Sequence, residues 1–220
     1  SKAASQKAKR AADTRPRRMN VYRVTEAPTV DGELGDAVWK NARPSKPFVT
    51  PGGQAITPRN LTQVRAVYDD AYLYIAASCR DTDVYNDKMG RDSQLWEQDV
   101  LEVYLDPGND GKDYVELQFS PAKQVFDAHF TSHRTPKWQK ASADLTLKKL
   151  AVGVNVDGTL NQRGDNKPDR RWTLEVAIPW AELPGVDGPP SSDEEWAMNF
   201  YRIDAKAPTR SGFMACLLYT

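Results

Sequence analysis

Gln94-Leu95-Trp96-Glu97-Gln98-Asp99-Val100-Leu101-Glu102-Val103-Tyr104-Leu105-Asp106-Pro107 is the stretch from which the fold is read. At a period of two residues, Leu101, Val103 and Leu105 point one way while Glu102 and Tyr104 point the other, the pattern of a strand with one face in a core. Three further segments repeat it. Val115, Leu117 and Phe119 alternate with Tyr114, Glu116 and Gln118; Phe126, Ala128 and Phe130 with Val125, Asp127 and His129; Leu174, Val176 and Ile178 with Thr173, Glu175 and Ala177. If these strands are neighbours in one sheet, Glu102, Glu116, Gln118, Asp127 and Glu175 are expected to share a face rich in acceptors. Such a face suits hydroxyl groups, cationic side chains or a bound cation, and a solvated outer face with scattered acids is the plainer alternative.

Working outward, strand patterns recur at Val21–Val24, Leu61–Tyr68, Tyr72–Cys79 (across the turn Asp69-Asp70), Leu145–Val156, Trp196–Ile203 and Phe213–Tyr219. Helix is confined to Leu34–Ala42, anchored by Val38 and Trp39, and to one turn opened by Pro179. Many strands separated by Gly, Pro, Asn and Asp, with almost no helix, predict an all-β chain, an antiparallel β-sandwich of jelly-roll type. Leu101, Val103, Leu117, Phe119, Val176 and Ile178 are its expected core.

A chain of 220 residues fits one such domain plus a tail. The balance of 30 basic and 30 acidic residues hides an asymmetry, because residues 1–18 hold seven Lys and Arg against Asp13 alone. Residues 1–20, poor in large apolar side chains, are expected to be a disordered tail or linker, leaving residues 21–220 as the sandwich. The acidic body argues against nucleic acid as partner. No apolar run approaches the roughly 20 residues of a transmembrane helix. Cys79 and Cys216, both in strand-like runs, read as small buried side chains, with a disulfide as the open alternative.

Several catalytic signatures are missing: GxSxG, HExxH and the dinucleotide fingerprint. Paired carboxylates on strands are too common here to single out a glycoside hydrolase site. His129 and His133, four apart outside a helix, do not form a metal pair.

In order and spacing, several pieces together resemble the family 9 carbohydrate-binding modules and their DOMON-like relatives. They are Val30-Asp31-Gly32-Glu33-Leu34 with Ala37-Val38-Trp39; Ala66-Val67-Tyr68-Asp69-Asp70 leading into Tyr72-Leu73-Tyr74; Leu95-Trp96-Glu97-Gln98-Asp99; Trp172-Thr173-Leu174-Glu175-Val176 through Trp180; and Asn199-Phe200-Tyr201-Arg202. The resemblance implies a sandwich with bound calcium and a sugar clamped between aromatic side chains over a polar groove. Carried onto this sequence, it implies Trp96, Glu102 and Asn199; with Glu97 of the same run and Glu116 and Gln118 of the polar face they make the expected carbohydrate-binding set, and Trp138, in a polar loop, is a further candidate aromatic platform. Asp81 and Asp83, after a strand end, are the expected calcium ligands.

The function expected is therefore that of a non-catalytic module, exported or at the cell surface, docking neighbouring domains of a larger protein to a glycan. The competing expectation is a haem-binding DOMON-like electron-transfer domain, with Met89, Met198, His129 or Lys88 as axial ligands. A protein-interaction sandwich that has lost sugar binding is the third.

Overall fold

The period-two segments find their partners as two stacked sheets. The computed structural model describes residues 17–51, 53–132, 142–162, 168–205 and 213–219, those of 142–144 and 213–219 as strand backbone only. The strands are β1 (Tyr22–Arg23), β2 (Thr62–Tyr68), β3 (Tyr72–Arg80), β4 (Val100–Asp106), β5 (Tyr114–Phe119), β6 (Val125–Phe130), β7 (Ser142–Asp144), β8 (Ala151–Asp157), β9 (Arg171–Pro179), β10 (Ala197–Ile203) and β11 (Phe213–Tyr219). One sheet has the order β1-β2-β3-β9-β8 and the other β11-β10-β4-β5-β6-β7. All neighbours run antiparallel except β1 and β2.

The inner faces meet as the sequence pattern requires. Val64, Ile75, Leu174, Val176 and Ile178 of the first sheet pack with Leu101, Val103, Leu105, Leu117, Phe119 and Phe200 of the second, and all are fully buried. The β2–β3 hairpin is closed by Asp69, whose Oδ1 accepts the backbone N–H groups of Ala71 and Tyr72 at 2.8 Å and whose Oδ2 accepts the Tyr74 hydroxyl at 2.7 Å.

The two outer faces differ. That of the first sheet is covered by the chain preceding β2: the short helix α1 (Ala37–Asn41) seats Trp39 against Val67, Tyr74, Ala76 and Ala177. Glu175 is the fastener there. It accepts the Trp39 indole N–H and the backbone N–H groups of Asp31 (3.1 Å) and Gly32 (2.6 Å). Burial raises its pKa, and these donors pull it back. Gly32 is pressed so close to β8 that a Cβ on Gly153 would stand 2.5 Å from the Gly32 nitrogen.

Three expectations change. Glu175 belongs to the other sheet from Glu102 and is consumed by the N-terminal cover, so it shares no face with the remaining acids. β6 is turned over relative to the expected sharing: Gln118 stands opposite Phe126 and Leu117 opposite Asp127, so Phe126, Ala128 and Phe130 share the outer face with Glu116, and Asp127 points inward. A strand turned by one residue exchanges all its faces; here the inward carboxylate is held by Arg91 at 2.5 Å and the Leu147 N–H at 2.7 Å. Leu145–Val156 is not one strand either. Leu147 is tied to Asp127, a turn follows at Lys148-Lys149, and only Ala151–Asp157 joins the other sheet. The expected tail lies mostly in residues 1–16, outside the described residues.

Candidate functional site

The outer face of the second sheet takes its polar residues from three adjacent strands. Register sets Glu102 opposite Gln118 and Tyr201, and Tyr104 opposite Glu116 and Asn199. Six side chains of one parity thus stand together at the separations of directly paired residues, about 4.5–5.5 Å between Cβ atoms. Glu116 is fully buried, Gln118 is 1 % exposed and Glu102 5 % exposed. They bond to one another: Gln118 Nε2 donates to Glu116 Oε1 at 2.7 Å, the Tyr104 hydroxyl to Glu102 Oε2 at 3.2 Å, and Asn199 Nδ2 to the Tyr201 hydroxyl at 2.7 Å. Gln118 Oε1 is buried with no hydrogen-bond partner among the described residues.

Trp96 enters from the side. It sits in a single 3₁₀ turn, Leu95–Glu97, just ahead of β4. Leu95 is the turn's anchor, fully buried with Val100, Ile203 and Ala205, while Trp96 is half-buried and meets Phe126 edge-on with centroids 5.6 Å apart. Since Phe126 stands opposite Gln118, the indole flanks the Gln118 end of the polar face. Glu97 is exposed and pairs with Lys88 at 2.6 Å. Trp138 lies outside the described residues. Phe126 and Tyr201 were missed in the sequence: Phe126 alternates as a core residue would, and only pairing with Gln118 turns it outward.

The acidic group near the Trp96 turn differs from the expected one. Asp81 is joined by Asp99 and Asp204, all buried, with carboxylate oxygens within 4.8 Å of one another; Asp83 is not one of the three, and its backbone N–H donates to Asp81 at 2.9 Å. The fully buried Arg202 guanidinium donates to Asp81, and Asp99 accepts the N–H groups of Tyr85 (2.7 Å) and Ala205 (2.8 Å). Burial, then the Asp81 charge, pushes the Asp99 carboxyl well above the usual carboxylate range, with Arg202 and the two N–H groups pulling the other way. Three hard oxygen ligands in one place suit a divalent cation in chemistry, and Arg202 already supplies one balancing charge.

The haem candidates do not converge. His129 and Met198 lie in one row across β6, β5, β4 and β10, three strand spacings and so about 14 Å apart. His129 Nε2 is 2.5 Å from Asp113, Lys88 is engaged with Glu97, and Met89 projects at the surface, 71 % exposed. Cys79 is a free, buried thiol; the Cys216 side chain lies outside the described residues. No helix among the described residues is long and apolar enough to cross a membrane.

Comparison with known proteins adds the following. The model of a family described as carbohydrate family 9 binding domain-like matches residues 30–217. Endo-1,4-beta-xylanase A of Thermotoga maritima is 29 % identical over 89 residues, which is 40 % of this chain and 8 % of that enzyme. A family 9 carbohydrate-binding module of Caldicellulosiruptor kristjanssonii, solved with cellotriose, superposes with a TM-score of 0.59 at 17 % identity, covering 90 % of this chain and 83 % of its own. A family 9 module of the same organism solved with glucose gives 0.57 at 16 %, covering 89 % and 83 %. A Bacteroides uniformis protein, nominally carbohydrate-binding, gives 0.67 at 15 %, covering 90 % and 88 %.

Proposed function

Because the chain belongs to the carbohydrate family 9 binding domain-like proteins, we propose that it is a non-catalytic carbohydrate-binding module whose site is the outer face of the second sheet. One observation carries the reading: Glu102, Glu116, Gln118 and Asn199 are gathered on that face by register, with an aromatic plane, Trp96, beside them. A pyranose offers the matching chemistry, since its C–H face packs on an indole and its hydroxyls donate to carboxylates and amides. The buried Gln118 Oε1 without a partner is an acceptor whose desolvation a hydroxyl donor would offset. Glu97, farther out on the turn, belongs to the rim of this site.

Glucose and cellotriose, each present in a solved complex of a Caldicellulosiruptor kristjanssonii family 9 module, are the first sugars to test. The chain's part is to hold an exported or surface protein, and any neighbouring domains, against a glycan. Calcium is its proposed structural ion, at Asp81 with Asp99 and Asp204.

The deciding experiment is calorimetric titration of wild type and Glu102→Gln with glucose, cellotriose and a wider glycan panel. Removing one charged acceptor should weaken binding by about 10- to 100-fold, the equivalent of roughly 1.5–3 kcal/mol. No heat from wild type with any glycan overturns the reading.

A further inference from the structure

We infer that Asn86 is a positioning residue for the sugar face: its buried amide holds the backbone on both sides of Trp96, at Leu95 and at Asp99, and so sets where the indole stands. The inference rests on the proposed function for its biological meaning, and its geometry is independent of it. A three-residue 3₁₀ turn has little stability of its own. Its local bonds are Leu95 N–H to Ser93 at 2.7 Å, Glu97 N–H to Gln94 at 3.2 Å and Gln98 N–H to Leu95 at 3.1 Å. The rest of its placement comes from outside.

Asn86, fully buried, donates from Nδ2 to the Asp99 carbonyl at 2.8 Å and to the Leu95 carbonyl at 3.4 Å, one on each side of Trp96. Its Oδ1 accepts the Lys88 N–H at 3.0 Å. Two carbonyls at one end of the amide and an N–H at the other fix its orientation. The clamp is in turn fixed to the other side of the sandwich. Asn161, following β8, accepts the Asn86 N–H at its Oδ1 (2.7 Å) and donates from Nδ2 to the Asn86 carbonyl (3.1 Å). Around it, Asp87 and the Gln98 side chain exchange two hydrogen bonds, of 2.7 and 2.6 Å. Asn86 is shut away from solvent, so any effect on sugar passes through the turn.

The test uses the full chain labelled with 5-fluorotryptophan, the Trp96 fluorine signal being assigned by its loss in Trp96→Ala. Two variants are compared. Asn86→Asp keeps the shape and the acceptor but sets an oxygen against the two carbonyls. Asn161→Gly removes the outer fastener at an exposed position whose φ of 62° glycine takes without strain, and it leaves the Asn86 side chain and its own bonds intact. In both, the Trp96 signal should move or broaden while that of the buried Trp172 stays, and affinity for cellotriose should fall about tenfold, the effect of about one lost hydrogen bond. An unmoved Trp96 signal overturns the inference, as does a moved signal with unchanged affinity. Cellotriose binding that survives Trp96→Ala also overturns it. Wild type silent towards every glycan overturns the proposed function first, a result in which the variants take no part.

Discussion

Six tryptophans divide by environment. Trp172 is fully buried between the sheets, whereas Trp96 is half-buried and rests edge-on against Phe126. Trp172→Ala should therefore lose the 3–5 kcal/mol typical of a buried aromatic, or about that, while Trp96→Ala should lose roughly 1–2 kcal/mol and all measurable sugar binding. Urea denaturation and titration of the two variants check this, and equal stability losses would show Trp96 to be a core residue. Cys79 offers a second check. Burial pushes its thiol up to about 12, so at neutral pH it is neither thiolate nor reachable. Iodoacetamide should label Cys79, followed by peptide mass spectrometry, only as fast as the chain unfolds; prompt labelling of folded protein would contradict its burial. Both residues were legible in sequence as types, aromatic and thiol. The burial of Cys79 was legible as well, from its strand-like run; the exposure of Trp96 was not, because a tryptophan at a strand's entry and one inside a strand look alike without the neighbours.

At the scale of elements, the informative contrast is between strands that the pattern describes fully and those that it misleads. In β4, β5 and β9 the alternation assigns the inner face correctly, because the apolar set of each strand meets the opposite sheet. In β6 the same alternation misassigns it. Its apolar residues find cover on the outer face, Phe130 stacking on Tyr114 at 5.0 Å and Phe126 meeting Trp96, while Arg91 and the Leu147 N–H make an inward Asp127 tolerable. A close backbone contact gives the prediction at this scale. The loop at Asp31-Gly32 lies directly on β8, and Gly153→Ala would drive a methyl into backbone that cannot yield, with the Asp31 carbonyl carbon 2.6 Å away. A loss at the upper end of the about 1–3 kcal/mol of overpacking is expected, read as a lower urea midpoint. An unchanged midpoint would mean that the N-terminal cover is not seated as described.

For the whole molecule, the asymmetry of the two outer faces decides where function can lie: one is sealed by α1 and the chain before it through Trp39 and Glu175, and the other carries the acids, amides and aromatic rings. The buried charges at Asp81, Asp99, Asp204 and Arg202 connect the ends of β3 and β10 with the start of β4. Arg202→Met should lower stability by about 3–5 kcal/mol by leaving carboxylates uncompensated, and calcium should restore part of that loss. In wild type, calcium should raise the melting temperature and a chelator lower it, since an ion that binds only the folded state stabilises it by mass action. Differential scanning calorimetry measures both, and no shift in wild type or variant removes calcium from the account. By itself the sequence determined the sandwich, the core of β4, β5 and β9, and the residue types of the site, because local alternation and turn chemistry act within a few residues of chain. Tertiary structure alone decided which acids meet. Pairing sends Glu175 to the far sheet, turns Asp127 inward, exchanges Asp83 for Asp99 and Asp204, and brings Asn86 to the carbonyls of Leu95 and Asp99 on either side of Trp96, since register and the packing of distant segments are set by contacts that no local period encodes.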